Sequence, residues 1–355
     1  MRTAWKNVYD QPGPFATVLA DVSLASENGA SAVEALAQSI GQDLDGFGAP
    51  PEVVDGVRGR LADPVHDPAP RSRYIVASAA GVLVDEVIPV AVTTPVVEWE
   101  PLPDPGPLLM HEAEARPFVL VRVDHEGGDV RTVGGNTSEG RTQAAGESGP
   151  EVHKVRGGGL SHLQWQRTAE NLWRDNAREV ASLAQSRVAE GHRLVIVAGS
   201  VESRQEVVSI LQEGPAKVVE LDRAGRASDG STDALCEDIE QVVRLHARER
   251  VDRFLEEVAE RLGQRHAVAV GAAEVADSLG QGAVATVAID PAAAGRGTLD
   301  PADHPGLPVA PSPKARIRAD LVLFAGASRT DAAVAVVDTQ ALQGHDAVGL
   351  LRWDP

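Results

Sequence analysis

Short apolar runs alternate with amphipathic stretches along the 355-residue chain, and the alternation falls into three segments. In the first, to about residue 113, residues 15–20 predict a strand after the Gly13-Pro14 turn. Val33, Leu36 and Ile40 recur at helical spacing and predict a helix over 31–45. Residues 74–77 and 82–87 flank Ser78-Ala-Ala-Gly81 and predict a β-hairpin. The run Pro101-Leu-Pro-Asp-Pro-Gly-Pro107 is too rich in proline for a helix or a central strand and reads as a linker.

The second segment spans about 114–228. Residues 118–123 and 130–133 flank Asp124-His-Glu-Gly-Gly-Asp129 and predict a hairpin around a Gly-Gly turn. A Gly, Ser and Glu loop over 134–151 and a glycine triplet follow. Residues 161–189 then form the longest helical pattern, with Ala169, Leu172, Trp173, Ala177, Val180, Leu183, Ala184 and Val188 on one face. Residues 194–198 and 217–221 read as strands, and Ser203-Arg-Gln-Glu206 as a capping box opening a helix between them.

The third segment, about 229–355, begins with a helix over 232–262. Strands at 267–270, 283–289, 319–324 and 333–337 alternate with helices at 272–279 and near 328, and a short strand ends the chain. A glycine and proline loop covers 291–313. The expected fold class is α/β with α+β character: three domains (1–113, 114–228, 229–355), the last an α/β sandwich.

Composition narrows the partners. Asp and Glu total 52 against 33 Lys and Arg, a formal net charge of −19. That balance opposes sequence-blind binding to nucleic acid and makes DNA an unexpected partner, so any RNA contact has to be local. Aromatic residues are 3% of the chain, so Val, Ala and Leu must fill the cores. The single cysteine, Cys236, excludes an intramolecular disulfide and a multi-cysteine zinc site. No apolar run follows the N-terminus or approaches the roughly 20 residues of a membrane span. The expected compartment is the cytoplasm.

Against this acidic background, residues 152–167 contain no acid. Lys154, Arg156 and Arg167, with His153 and His162, surround Gly157-Gly158-Gly159. Three glycines let a backbone approach a partner closely. They directly precede a long helix, whose N-terminal amides attract anions such as an RNA phosphate. Ser161-His-Leu-Gln164 is also a capping box, which gives Ser161 and Gln164 a purely structural role. The loop is no P-loop and no dinucleotide fingerprint. His153 and His162 lack further ligands for a metal. Asp124-His125-Glu126 reads as a solvated turn, Ser200 and Ser328 lack a nucleophile-elbow frame, and Cys236 beside two acids has no cause for a lowered pKa. Trp165 and Trp173 stand roughly 80° apart on a helix. Trp173 joins the core stripe, whereas Trp165 is free to stack on a base or a protein. No cofactor and no catalytic residue is assigned.

Arg156-Gly-Gly-Gly-Leu-Ser-His-Leu-Gln-Trp165 resembles the His-Gly-Arg-Gly-Gly-Gln-Ser loop of archaeal and eukaryotic class-one translation release factors, which also precedes a long helix. In that frame Gly158 and Gly159 match the glycines, Ser161 the serine and Leu160 the catalytic glutamine. Gly13-Pro-Phe-Ala16, Val123-Asp-His-Glu-Gly-Gly-Asp-Val130, Pro150-Glu-Val-His-Lys154 and Asp346-Ala-Val-Gly-Leu-Leu-Arg-Trp353 are similar to the bacterial branch of that superfamily, including the actinobacterial hibernation factors related to Balon. The resemblance implies a three-domain architecture and a ribosomal partner, reached through rRNA of the A site and peptidyl-transferase region alongside elongation factor Tu. It implies His153, Lys154, Arg156, Gly157, Gly158, Gly159, Leu160, Ser161, His162, Trp165 and Arg167 as the contact residues. Leu160 has neither donor nor acceptor and cannot orient water, and no Asn-Ile-Lys-Ser codon-reading motif is present. The expectation is a non-enzymatic stress or hibernation factor. The alternatives are a peptidyl-tRNA hydrolase or rescue factor acting through Gln164 or a histidine, and an α/β adaptor.

Overall fold

The computed structural model describes residues 3–23, 29–65, 70–88, 90–111, 118–124, 127–133, 142–145, 160–222, 231–309 and 316–353; within these, the side chains of 3–4, 29–30, 142–145, 160–173, 231–234 and 236 lie outside the description. The chain divides into two compact units. One joins Met1–Ala113 with Glu249–Pro355, and the other is Glu114–Arg248.

The N-terminal part of the first unit opens with α1 (Thr3–Tyr9) and β1 (Phe15–Asp21). Next come α2 (Gly29–Gly46), α3 (Pro51–Ala62), β2 (Ser72–Ser78), β3 (Gly81–Ile88) and β4 (Val96–Glu100). The strands form an antiparallel sheet in the order β3-β2-β1-β4. Strand side chains alternate between faces. Ala16, Val18, Ala20, Ile75 and Ala77 pack against Ile40, Leu44, Val53, Val57 and Leu61 of the two helices. Phe15, Leu19, Tyr74 and Val76 enter a different core. The proline run is not a linker: residues 102–108 are buried, and Gly106–Leu109 forms a short helix, α4. Leu102 and Leu108 fill that second core, so proline here stiffens a packed segment.

The second unit is a mixed sheet. It contains β5 (Phe118–Asp124), β6 (Gly127–Val133), β7 (Thr142–Ala145), α5 (Leu160–Ala189), β8 (Leu194–Gly199), α6 (Val201–Leu211) and β9 (Lys217–Leu221), and α7 (Ser231–Gln264) begins in it. The order is β7-β6-β5-β8-β9, with β5, β8 and β9 parallel. Val119, Val121, Val195 and Val197 face α5 and α6, while Leu194, Ile196 and Ala198 face Leu235 and Ile239 of α7. Sheet faces covered on both sides account for the uninterrupted apolar run of β8. The hairpin is tighter than expected. Asp124 and Gly127 pair directly, so Gly127–Asp129 belongs to β6. Gly127 has φ 137°, and a Cβ on Gly128 would lie 2.6 Å from the Arg122 carbonyl, so only glycine continues the strand there. Ser203 is not an N-cap: α6 starts at Val201, because Ser200 in extended conformation marks the boundary.

The rest of the first unit carries β10 (Val268–Val270), α8 (Ala272–Gly280), β11 (Val284–Ile289), α9 (Pro291–Ala294), β12 (Thr298–Leu299), β13 (Ile317–Arg318), α10 (Ala319–Arg329), β14 (Ala333–Val336) and β15 (Ala347–Leu351). The order β10-β15-β11-β14 has one parallel pair, β11 with β14. Val258 of α7 packs with Ala288, Val348 and Leu350 on one face; α8 and α10 cover the other, as an α/β sandwich requires. The expected strand at 319–324 is the first half of α10. Every residue from Ala319 to Ser328 is buried, and a helix buried on all sides loses the periodicity that separates it from a strand. Leu279, Leu321 and Phe324 share one core with Trp5, Tyr9, Phe15 and Tyr74, so the ends of the chain fold together. Among the described residues no helix is long and apolar enough to cross a membrane.

Candidate functional site

The glycine loop belongs to the second unit. His153, Lys154, Arg156, Gly157, Gly158 and Gly159 lie outside the described residues. Leu160, Ser161, His162, Trp165 and Arg167 occupy the first turns of α5, and their side chains, like that of Trp173, lie outside the description. The helix begins at Leu160, one residue before the expected start, which puts Ser161 inside it. Its first turn contains no acid, so no carboxylate there offsets the partial positive charge of the N-terminal amides.

Thirty residues of α-helix span about 45 Å. Ala177, Val180, Ala181, Ala184 and Val188 fasten the C-terminal half of α5 to the sheet. The platform beneath is closely hydrogen-bonded and tightly packed. The Ser200 amide donates to the Val123 carbonyl at 3.0 Å, closing the carboxyl ends of β5 and β8. Gly199 has φ 144°, and a Cβ there would overlap the Val123 carbonyl oxygen at 1.8 Å. Arg204, buried on α6, donates to the carbonyls of Gly199 and Leu221 and to Glu220 and Asp222. Arg122 pairs with Asp129 at 3.1 Å across the hairpin. His125 and Glu126 lie outside the described residues, and Asp124 ends β5.

Charge is divided unequally. Glu114–Arg248 holds 21 acidic and 17 basic residues, whereas the remainder of the chain holds 31 and 16. The unit with the glycine loop is therefore near neutrality at −4, and the other carries −15. The acidity that argues against RNA belongs mostly to the other unit.

A second constellation has no counterpart in the sequence reading. In the first unit, Arg318 Nη1 donates to Glu98 Oε1 at 2.6 Å, Nη2 to Asp104 Oδ2 at 2.9 Å, and Nε and Nη2 to Asp320 at 3.1 and 2.5 Å. Asp320 is fully buried and Asp104 is 4% exposed. The Asp104 carboxylate also accepts from the Gly106 amide, and its carbonyl accepts from the Tyr74 hydroxyl at 2.6 Å. Burial first, then the fields of Glu98 and Asp320, raises the Asp104 pKa to about 7 against the opposing Arg318 and Gly106. Burial disfavours the Arg318 charge, but Asp320, Asp104 and Glu98 outweigh it and raise its pKa. The sequence did hold a signal: an acid inside the apolar run 319–324 and another between prolines both demand partners. Among the described residues no group of His, Cys, Asp and Glu could hold a metal ion.

Residues 117–264, which enclose the loop and α5, match the bacterial archaeo-eukaryotic release factor model. That match takes in less than half of the chain, and it is to this segment that the likeness to the bacterial release-factor branch applies. The particular model matched is that of family 2.

Two Mycobacterium tuberculosis proteins of unassigned role, Rv2629 of strain H37Rv and MT2704 of strain CDC 1551, are each 30% identical over 215 residues. The match covers 60% of this chain and 57% of those relatives. Among solved structures, ribosome-bound archaeal Pelota with ABCE1 has a TM-score of 0.44 at 15% identity, covering 99% of this chain and 93% of that one. Saccharomyces cerevisiae Dom34, a translation termination-like factor, has a TM-score of 0.42 at 9% identity, covering 80% and 81%.

Proposed function

We propose that this protein binds the ribosome as a hibernation or stress factor, occupying the A site of idle particles without releasing peptide. The observation that carries this reading is the family match over 117–264 around a glycine loop in which Leu160 stands where the release factors resembled place glutamine. A leucine side chain cannot hold a water against an ester, so the chemical step has no positioned nucleophile there. Binding needs less. A basic, glycine-rich loop beside an acid-free helix N-terminus suits phosphate and rRNA, and the near-neutral unit that bears it does not oppose the approach.

In this reading His153, Lys154, Arg156, Gly157, Gly158, Gly159, Leu160, Ser161, His162, Trp165 and Arg167 contact rRNA. The acidic first unit faces solvent or a protein such as elongation factor Tu, and the protein works in the cytoplasm. The test is co-sedimentation of the full chain with vacant 70S ribosomes over a salt series, beside release of labelled peptide from stalled complexes. Saturable, salt-weakened binding with background release is the expected result. Release above background that Gln164→Ala abolishes would replace this reading with the hydrolase. Absence of binding at low salt, with and without elongation factor Tu, would overturn it.

A further inference from the structure

We propose that Glu98, Asp104, Arg318 and Asp320 form a proton-operated latch that fastens the N-terminal sheet to the C-terminal helix α10. The cluster sits where two distant stretches of chain meet. Glu98 comes from β4 and Asp104 from the segment after it, while Arg318 and Asp320 flank the start of α10. One guanidinium faces three carboxylates, so the fully ionised cluster carries a surplus of two negative charges in a poorly solvated place. Such a surplus is costly and is relieved most simply by holding a proton.

The geometry offers a place for one. Glu98 Oε2 is buried and accepts no hydrogen bond among the described residues, while Oε1 is held by Arg318. A proton within the cluster therefore has an unoccupied acceptor. Among the described residues Arg318 is the one cation paired with Glu98, Asp104 and Asp320. Tyr9 of α1 and Tyr74 of β2 face Asp104, and both phenols are pushed up by burial and by Asp104 itself. Glu86 of β3 adds its field at Tyr74. On the α9 side Gly295 approaches, and even a Cβ there would lie 3.3 Å from the Asp320 carboxylate, so position 295 contributes no side chain to the cluster.

The direction of the pH effect follows from the raised carboxyl. Unfolded, Asp104 ionises near 3.8; folded, near 7. Between these values the folded chain holds a proton that the unfolded chain has released. Stability from this group is complete below the lower value and falls as pH rises towards the upper one. The latch is tight in mild acid and loosened above neutrality.

The experiment is infrared titration of the full chain, following the protonated-carboxyl stretch, paired with urea unfolding at pH 5 and pH 8. The wild type should keep that band at pH 6 and lose it near neutrality, and Asp104→Asn should lack it. The wild-type unfolding constant, relative to Asp104→Asn, should rise at least tenfold from pH 5 to pH 8. Glu98→Gln keeps an acceptor for Arg318 while removing one charge, and it should move the titration of the band to lower pH; it serves if Asp104→Asn does not fold. A band absent at pH 6, a band unchanged in Asp104→Asn or unmoved in Glu98→Gln, or parallel unfolding curves would each overturn the proposal.

Discussion

Arg318 donates to the Asp104 carboxylate at 2.9 Å across 214 positions of sequence. This ion pair joins the chain's first and last segments at a shared core, and at the other end of α10 the Arg329 guanidinium donates to the Tyr9 carbonyl at 2.8 Å and to the Asp10 carboxylate at 2.7 Å. Replacing Arg318 by Met keeps most of the volume but leaves three carboxylates without their cation. Removal of one partner of a buried pair costs about 3–5 kcal/mol. The urea midpoint of Arg318→Met should drop accordingly at pH 8 and by less at pH 5, where the orphaned carboxyls can take up protons. Equal losses at both pH values would contradict the charge account.

At Gly199 the backbone of β5 leaves no room for a side chain. A methyl group there would meet the Val123 carbonyl at 1.8 Å in a backbone conformation that L-residues rarely adopt. Gly199→Ala should therefore destabilise by several kcal/mol, on the order of 3 or more, because strain and steric overlap add. Thermal unfolding of the variant checks this, and a midpoint within 2 °C of the wild type would be incompatible with the packing described.

The basic loop should act through charge. Lys154→Glu with Arg156→Glu should weaken ribosome binding by at least tenfold in low salt and reduce its salt dependence, since fewer counterions are released. Circular dichroism and the unfolding midpoint should be unchanged. Unaltered affinity would remove the loop from the interface.

Leu160 should make the protein inert in peptide release. The wild type is expected at background in a labelled-peptide assay on stalled complexes, at concentrations that saturate binding. Release that exceeds background by tenfold would show that another group positions the water.

The sequence by itself determined the elements whose patterns are local. The β1 strand, the β2–β3 hairpin, the long α5 and the β11 strand follow from period-2, period-3.6 or continuous apolar runs that each element writes into its own residues. It also exposed the glycine loop, because a basic tract without acids stands out in a chain of net charge −19. Tertiary structure decided what depends on distant partners. Residues 319–324 became helix because α8 and the core around Phe324 bury every side of them, and full burial erases periodicity. The proline run became a packed segment because Tyr74 and Arg318 supply the hydrogen bonds that Asp104 needs. The four-residue charge cluster was only half legible for the same reason: an acid in the apolar run 319–324 and another between prolines signalled a need for partners, but only a fold that brings position 318 back to position 104 supplies them in one poorly solvated environment.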